Sequence, residues 1–500
     1  MMSVRKLLVS VIITVNIFSC IGILFTCTKH FEDSKRTVYN LSEYIESLNG
    51  YNELKRISER LRDQISEECN RNTTTLPNPV SMYLYAKTVN EALSPIRDTI
   101  NKTDDVLIKE TMISFISNLP TGADVEGVIL SFVKLQNTYN VSSRDMASGY
   151  ILGIKVPTLT AFDCFDIGLF MFKKGYNRLA IQWFYTTLTK QQEIKSTKQN
   201  IKIFRSIIIG LIENAKRQEI KAEKETRMRI AFTTLQKDDD SKFKQNLTAE
   251  LHAMLKNKTI KFYGPELDRN LKVNKNYEFL CRKQILYSEG YCKYLGYPFI
   301  GFYYRPIKIE IINISPRIIV VHDIINIDVI SHFTAKSFQL SRSEVVNLKG
   351  NDSNVQSDHR TSSTFKYLDD TDYPSVGRLN NFLERLTGLR MNKKQADHFQ
   401  IVNYGIGGEY KPHYDWVEEK YLSDVEIGGS TVFPHLNIAV PPKKGSALFF
   451  TNLDEKGHGD TLTLHAGCPV FFGSKWIANK WVHTKDQDMN FLQTVPSVWM

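Results

Sequence analysis

The arrangement that most constrains this chain is His413-Tyr414-Asp415, answered 52 residues after His413 by His465 and then by Lys475. Alternate residues of an extended strand share a face, so an H-x-D pair presents an imidazole and a carboxylate on one side. A second imidazole from a distant strand adds a third donor. Two nitrogens and one oxygen on a triangular face leave three metal positions open, the 2-His-1-carboxylate pattern of non-haem Fe(II) oxygenases. Lys475, ten residues past His465, is placed to hold a dicarboxylate cosubstrate. H-x-D alone arises often by chance. Together with a distal His, a basic residue and flanking glycines it is specific.

The surroundings fit a β-rich domain. Beyond about residue 300 the chain breaks into short β-branched runs with Gly/Pro punctuation: 316–321, 399–404, 430–433, 446–451 and 468–472. Helical segments are expected near 324–336 and 373–389. Many short strands ending a chain predict a sandwich or jelly roll. His322, His435 and His458 are expected in loops or at the surface, without a ligand role.

The remainder of the 500 residues is expected to be helical, giving two to four domains. Between 37 and 70 apolar residues recur in steps of three and four, from Leu41, Tyr44, Ile45 and Leu48 to Leu61 and Ile65. That predicts an amphipathic helix, facing a core or pairing with a second copy as a short coiled coil. Residues 144–235 read as wholly helical, with a turn at Lys173-Lys174-Gly175-Tyr176. The pattern Ala161…Gly168…Gly175-Tyr176…Ala180 resembles a degenerate tetratricopeptide unit, whose concave groove can hold an extended peptide. Residues 236–276 read as linker. The net charge of +10 is spread without a dense basic block interleaved with aromatics, so a solvated basic surface is expected and no nucleic-acid partner.

At the N-terminus, Arg5 and Lys6 precede an apolar run from Leu7 to Cys27. It reads as a secretory signal over 1–28, or an uncleaved signal anchor; either puts the rest of the chain in a lumen. Sequons at Asn40, Asn72, Asn101, Asn140, Asn246, Asn257, Asn313 and Asn351 are glycosylation candidates there. Cys281 and Cys292 make a plausible disulfide in an oxidising compartment, while Cys69, Cys164 and Cys468 have no evident partner. With no K-D-E-L-type ending, residence in the endoplasmic reticulum is expected to need a partner or the anchor.

The C-terminal third resembles the catalytic alpha subunit of animal collagen-type prolyl 4-hydroxylase. The resemblance runs through Asn403-Tyr404-Gly405, Gly407-Gly408, Pro412-His413-Tyr414-Asp415, Gly428-Gly429-Ser430-Thr431-Val432-Phe433-Pro434 and Pro442-Lys443-Lys444-Gly445. It continues through His465-Ala466-Gly467-Cys468-Pro469-Val470, Gly473-Ser474-Lys475-Trp476 and Asn479-Lys480-Trp481-Val482-His483. Upstream, Tyr277 to Arg282, Val321 to Ile325, Asp163-Cys164-Phe165 and Asn78-Pro79-Val80 are similar too.

The resemblance implies a multidomain α then α+β chain. A helical N-terminal dimerisation domain (37–140) and a tetratricopeptide-like peptide-binding domain (144–235) come first. A linker with a disulfide segment (236–300) and a double-stranded β-helix dioxygenase domain (301–490) with flanking helices follow. It implies His413, Asp415 and His465 as iron ligands, Lys475 on the distal carboxylate of 2-oxoglutarate, and Tyr404 hydrogen-bonded to that cosubstrate. His483 matches a histidine assisting it, Trp481 a residue beside the substrate channel, and Cys281–Cys292 an intrachain disulfide. The implied cofactors are Fe(II), 2-oxoglutarate and L-ascorbate. Protein disulfide isomerase is the implied β-subunit partner, a proline-rich or collagen-like peptide the substrate, and the endoplasmic reticulum lumen the location.

Three departures bear on activity. Only Trp416 to Leu422 bridges Asp415 to Ser423, where the family has a loop and part of a core strand. Either that bridge shifts in to substitute, or buried backbone groups lose their partners. Cys468 matches a cysteine that the family pairs with one further on, and none follows here. No tyrosine lies between Tyr185 and Tyr263, leaving Trp183, Phe184 and Phe204 to line a peptide groove. A peptide-binding subunit with impaired catalysis, or a hydroxylase of a non-collagen substrate, are the alternatives to a collagen hydroxylase.

Overall fold

The computed structural model describes residues 9–15, 29–48, 50–71, 78–117, 119–194, 196–235, 266–283, 290–295, 306–335, 341–345, 355–356, 361–366, 373–392, 394–415, 427–454, 457–483 and 487. The chain divides into two compact units. One comprises Met1–Val141, Tyr150–Pro157 and Asn276–Met500, the other Ser142–Gly149 and Thr158–Lys275. The N-terminal helices and the C-terminal strands, read as separate domains from the sequence, thus share one unit.

That unit opens with strand β1 (Val9–Val15), followed by helices α1 (Lys29–Ser47), α2 (Asn52–Arg71), α3 (Pro79–Lys102), α4 (Val106–Ile116) and α5 (Gly122–Tyr139). The periodic stretch 37–70, expected as one helix, is split between α1 and α2. Gly50 turns the chain there with φ +87°, a backbone state cheap only for glycine. The apolar seam closes on the chain's own core. Leu41, Ile45, Leu54, Leu61 and Ile65 are buried with Tyr85, Val89 and Leu93 of α3, at about 1.5–3 kcal/mol for each fully covered large side chain. Helix α3 starts where it does because the Asn78 carboxamide oxygen accepts the Ser81 N–H at 2.9 Å and Pro79 opens the first turn.

The second unit contains α6 (Ser143–Ser148). After it a hairpin of β2 (Tyr150–Ile151) and β3 (Ile154–Lys155), absent from the helical expectation, belongs to the first unit. Helices α7 (Ala161–Lys173), α8 (Asn177–Lys190) and α9 (Lys198–Leu235) complete the second unit. The turn at Gly175 (φ +84°) joins α7 to α8 as expected. Trp183 and Phe184 are wholly buried, so they belong to the core of this unit and do not line a groove. Phe204 instead meets Phe162 and Phe165 with ring centroids 5.6 and 5.1 Å away, and Phe162 is more than half exposed.

The presumed linker is described from Glu266, where helix α10 (Glu266–Lys283) begins. Strands β4 (Tyr291–Leu295), β5 (Ile307–Asn313) and β6 (Ile318–His322) lead to α11 (Ile327–Ala335). Short strands β7 (Ser341–Arg342), β8 (Glu344–Val345), β9 (Val355–Gln356) and β10 (Ser363–Lys366) precede α12 (Pro374–Thr387). Then come β11 (Gln400–Tyr404), β12 (Tyr410–His413), β13 (Ile427–Gly428), β14 (Thr431–Phe433), β15 (Ile438–Val440) and β16 (Ala447–Thr451). Finally β17 (His465–Gly467), β18 (Val470–Phe472) and β19 (Lys475–Val482) close the sequence of strands.

A nine-stranded sheet has the order β4-β5-β6-β16-β1-β19-β11-β10-β7, and a four-stranded sheet the order β12-β17-β14-β15. The residues bridging Asp415 to Ile427 lie outside the described set. The strand between β16 and β19 comes from the opposite end of the chain. Val9–Val15, expected as part of a leader, pairs antiparallel with both neighbours.

The Cys281–Cys292 pairing is corrected by the fold. Cys281, on the buried face of α10, is bonded to Cys468. Cys292 is an exposed free thiol on β4, opposite Glu310 of β5. Short spacing did not decide the pairing; the docking of α10 against the turn after β17 did. Of the sequons, Asn40, Asn101 and Asn140 are exposed and Asn313 is half-buried, whereas Asn72, Asn246, Asn257 and Asn351 lie outside the described residues.

Candidate active site

Antiparallel pairing of β12 with β17 sets His413 directly opposite His465. Cross-strand partners project to the same side, and the two imidazole centroids are 4.4 Å apart. Tyr410 stacks on His413 at 3.6 Å, and Phe450 of β16 meets His465 edge-on at 4.9 Å, so aromatic surfaces hold both rings.

Each ring is also fixed by the backbone two residues before it. Nδ1 of His413 lies 2.7 Å from the Lys411 carbonyl, and Nδ1 of His465 lies 2.9 Å from the Thr463 carbonyl. A carbonyl only accepts, so each Nδ1 carries the hydrogen and each Nε2 presents a lone pair. Asp415, with no exposed surface, brings its two carboxylate oxygens to 3.6 Å from His413 Nε2 and 3.3 Å from His465 Nε2. One donor atom from each residue lies within 4.8 Å of the others. Three acceptors converging in a buried space repel one another, and a divalent cation removes that cost. The donor set fits Fe(II), the metal whose 2-His-1-carboxylate sites leave positions for substrate and O2.

Lys475 opens β19 opposite Tyr404 of β11. Its ammonium lies 5.5 Å from the Tyr404 ring centroid and donates to the Gly429 carbonyl at 2.6 Å. Lys475 is 1% exposed, and burial pushes it down to about 7. A buried lysine so disfavoured as a cation gains most from an anionic ligand. Gly428, just before this carbonyl, has φ +93°, and a Cβ there would land on the Pro469 carbonyl and the Tyr139 hydroxyl, so only glycine fits. Trp481 is buried at the far end of β19, and beyond it His483 Nε2 lies 2.7 Å from Asp397. His322 pairs with Glu310, and His458 lies 3.6 Å from Asp454; neither joins the site.

A supporting network was not foreseen from the sequence. Glu409, 4% exposed and next to β12, accepts from the Tyr277 hydroxyl of α10 at 3.0 Å and pairs with Lys134 of α5 at 3.3 Å. The Tyr139 hydroxyl donates to the Pro469 carbonyl. Burial and the Glu409 charge hold the Tyr277 phenol well above its usual range. These groups brace both metal-facing strands from the helical side. The only local sign was an acid embedded in the Gly-rich run before β12.

Residues 28–153 match the family "Prolyl 4-Hydroxylase alpha-subunit, N-terminal region", and residues 399–483 match the 2OG-Fe(II) oxygenase superfamily. The chain is 28% identical to human prolyl 4-hydroxylase subunit alpha-1, over 91% of each. It is also 28% identical to prolyl 4-hydroxylase subunit alpha-2 of Caenorhabditis elegans, over 82% of this chain and 81% of that one. The viral collagen prolyl hydroxylase of Paramecium Bursaria Chlorella virus-1 is 26% identical over 25% of this chain and 79% of its own, with a TM-score of 0.22, a local similarity too slight to bear on the fold. The chain is a divergent relative of the prolyl 4-hydroxylase alpha subunits, with a 2-oxoglutarate- and Fe(II)-dependent dioxygenase domain at its C-terminal end.

Proposed function

We propose that this chain hydroxylates proline at C4 in X-Pro-Gly-type peptides as an alpha subunit. His413, Asp415 and His465 hold Fe(II), and Lys475 holds the distal carboxylate of 2-oxoglutarate. The observation that carries this reading is the convergence of both Nε2 atoms on the buried Asp415 carboxylate. When bound, the metal supplies activation of O2 coupled to oxidative decarboxylation of the 2-oxo acid to succinate and CO2. The chain's own residues position, neutralise and exclude water. Lys475 releases the Gly429 carbonyl to meet a carboxylate, Tyr404 adds a hydroxyl from the neighbouring strand, His483 assists the cosubstrate and Trp481 serves the substrate side.

The dioxygenase domain (301–490) is read as a double-stranded β-helix, 37–140 as the dimerising region, 144–235 as the tetratricopeptide-like peptide binder and 236–300 as the connecting segment. Family likeness supports protein disulfide isomerase as partner, ascorbate as reductant and the endoplasmic reticulum lumen as location. Within 144–235, Phe162, Phe165 and Phe204 offer aromatic faces for proline rings. The lack of tyrosine between Tyr185 and Tyr263 favours a second reading, a hydroxylase of non-collagen proline peptides. The test is 2-oxoglutarate decarboxylation with Fe(II) and ascorbate by the chain co-produced with protein disulfide isomerase. Stimulation by (Pro-Pro-Gly)n supports the collagen-type reading, and stimulation only by other proline peptides the second. Absence of both in an assembled, folded protein overturns the hydroxylase.

A further inference from the structure

Strands β11 and β19 run antiparallel with Tyr404 opposite Lys475, Val402 opposite Ile477 and Gln400 opposite Asn479. Alternate residues of a strand share a face, so these three pairs line the same side of the sheet. That side faces the metal-bearing strands. Lys475 reaches from it to the Gly429 carbonyl, just before β14, the neighbour of the His465 strand. The first pair is polar and is the one assigned to the cosubstrate. The second is apolar and buried. The third is a pair of amides, Gln400 6% and Asn479 3% exposed.

The fold does not satisfy these amides. Among the described residues, Asn479 Nδ2, Asn479 Oδ1 and Gln400 Oε1 have no hydrogen-bond partner. On the opposite face of the same strand pair, buried Asn403 shows the ordinary solution, its Nδ2 donating to Ser474 Oγ at 2.9 Å. A buried amide without partners costs stability, and an apolar side chain of similar size escapes that cost. Gln400 and Asn479 leave the backbone from opposed positions, close enough for one Asn479 N–H to turn onto the Gln400 oxygen. The second N–H and the Asn479 oxygen still lack a partner.

Position and chemistry select the ligand. Lys475 and Asn479 are four residues apart on one strand, about 13 Å, a gap that a lysine side chain and a five-carbon diacid bridge end to end. The part of a peptide that must reach such depth is the proline ring around C4, which has only C–H groups to offer. A 2-oxo acid offers oxygens. We propose that Gln400 and Asn479 form a second seat for the cosubstrate. Asn479 donates to its 2-oxo acid end while Lys475 holds the distal carboxylate, and Gln400 orients the Asn479 amide. The Asn479 oxygen takes a bridging water. The seat rests on the hydroxylase reading and adds to it the two residues that fix which way round the cosubstrate lies.

Calorimetry on the Co(II)-loaded full chain, co-produced with protein disulfide isomerase, tests the seat, together with the unfolding midpoint of the ligand-free protein. Asn479→Leu is expected to weaken 2-oxoglutarate binding about tenfold or more, as for a lost hydrogen bond to a charged group. Its midpoint should be equal or higher, and its Co(II) binding unchanged, which separates the seat from the metal ligands. Gln400→Met, close in shape, should show a smaller loss in the same direction and carries the test if Asn479→Leu does not fold. A lowered midpoint with unchanged 2-oxoglutarate binding overturns the proposal, since the amides then serve the core. Weakened (Pro-Pro-Gly)n binding with unchanged 2-oxoglutarate binding overturns it too and hands the seat to the peptide. A parent chain that binds Co(II) but no 2-oxoglutarate sinks the hydroxylase reading and the seat with it. A parent that binds both, with variants equal to it, sinks the seat alone.

Discussion

His413 and His465 are cross-strand partners whose rings lie 4.4 Å apart, each with Nδ1 against the carbonyl two residues upstream. The backbone thereby aims both Nε2 lone pairs before any metal arrives, so the ring orientation costs nothing further on binding.

Removing the carboxylate from this set is expected to abolish metal binding. Asp415→Ala should lower Fe(II) affinity and turnover by more than the roughly 10–100-fold that follows loss of an outer partner of a ligand. Equilibrium dialysis with Fe(II) and a visible Co(II) spectrum check it. Undiminished Co(II) binding would show that the metal sits elsewhere.

Lys475 gives the site a pH dependence of definite sign. Its folded-state value, about 7, lies below the unfolded value of about 10.4. Stability of the cosubstrate-free protein therefore rises with pH across that window, and the gain is absent below about 7. A carboxylate docked on Nζ restores the cation, so binding above pH 7 takes up a proton. The Kd of 2-oxoglutarate should then weaken by up to about tenfold per pH unit above 7, and Lys475→Arg should flatten the slope. Calorimetry in buffers of different ionisation enthalpy measures both, and a level profile in the parent protein would refute the assignment.

Tyr277→Phe strips one donor from the buried Glu409 carboxylate. A loss of about 1–3 kcal/mol of stability is expected, read as a lower unfolding midpoint. The Fe(II) site should weaken with it, since Glu409 adjoins β12. Tyr185→Phe, at an exposed position on α8, serves as the control and should change neither.

The disulfide makes a separate prediction. Peptide mapping should recover Cys281 linked to Cys468, with Cys292 alkylated without reduction. Cys468→Ser should cost about 2–5 kcal/mol, because the bond closes a span of 187 residues, whereas Cys292→Ser should be neutral. A Cys281–Cys292 peptide in the native protein would contradict the fold of this region.

The sequence by itself picked out His413, Asp415 and His465, which the fold brings together, the basic Lys475 and the helix-then-strand order. Those signals are local: H-x-D follows from the two-residue repeat of a strand, and Lys475 follows His465 by only ten residues, across the short strand β18. Even the α7–α8 turn could be read from Gly175. Tertiary structure decided what depended on distant partners. Cys281 found Cys468 and not its neighbour, because α10 packs on the turn after β17. Glu409 acquired Lys134 and Tyr277 from two helices far away in the chain. Trp183 and Phe184 looked like groove aromatics and are core. The pairing of Val9–Val15 with β16 and β19, strands from the opposite end of the chain, is another case that no local pattern announces. Periodicity reports which face of an element is apolar; it carries no record of which distant backbone will supply the missing hydrogen bonds.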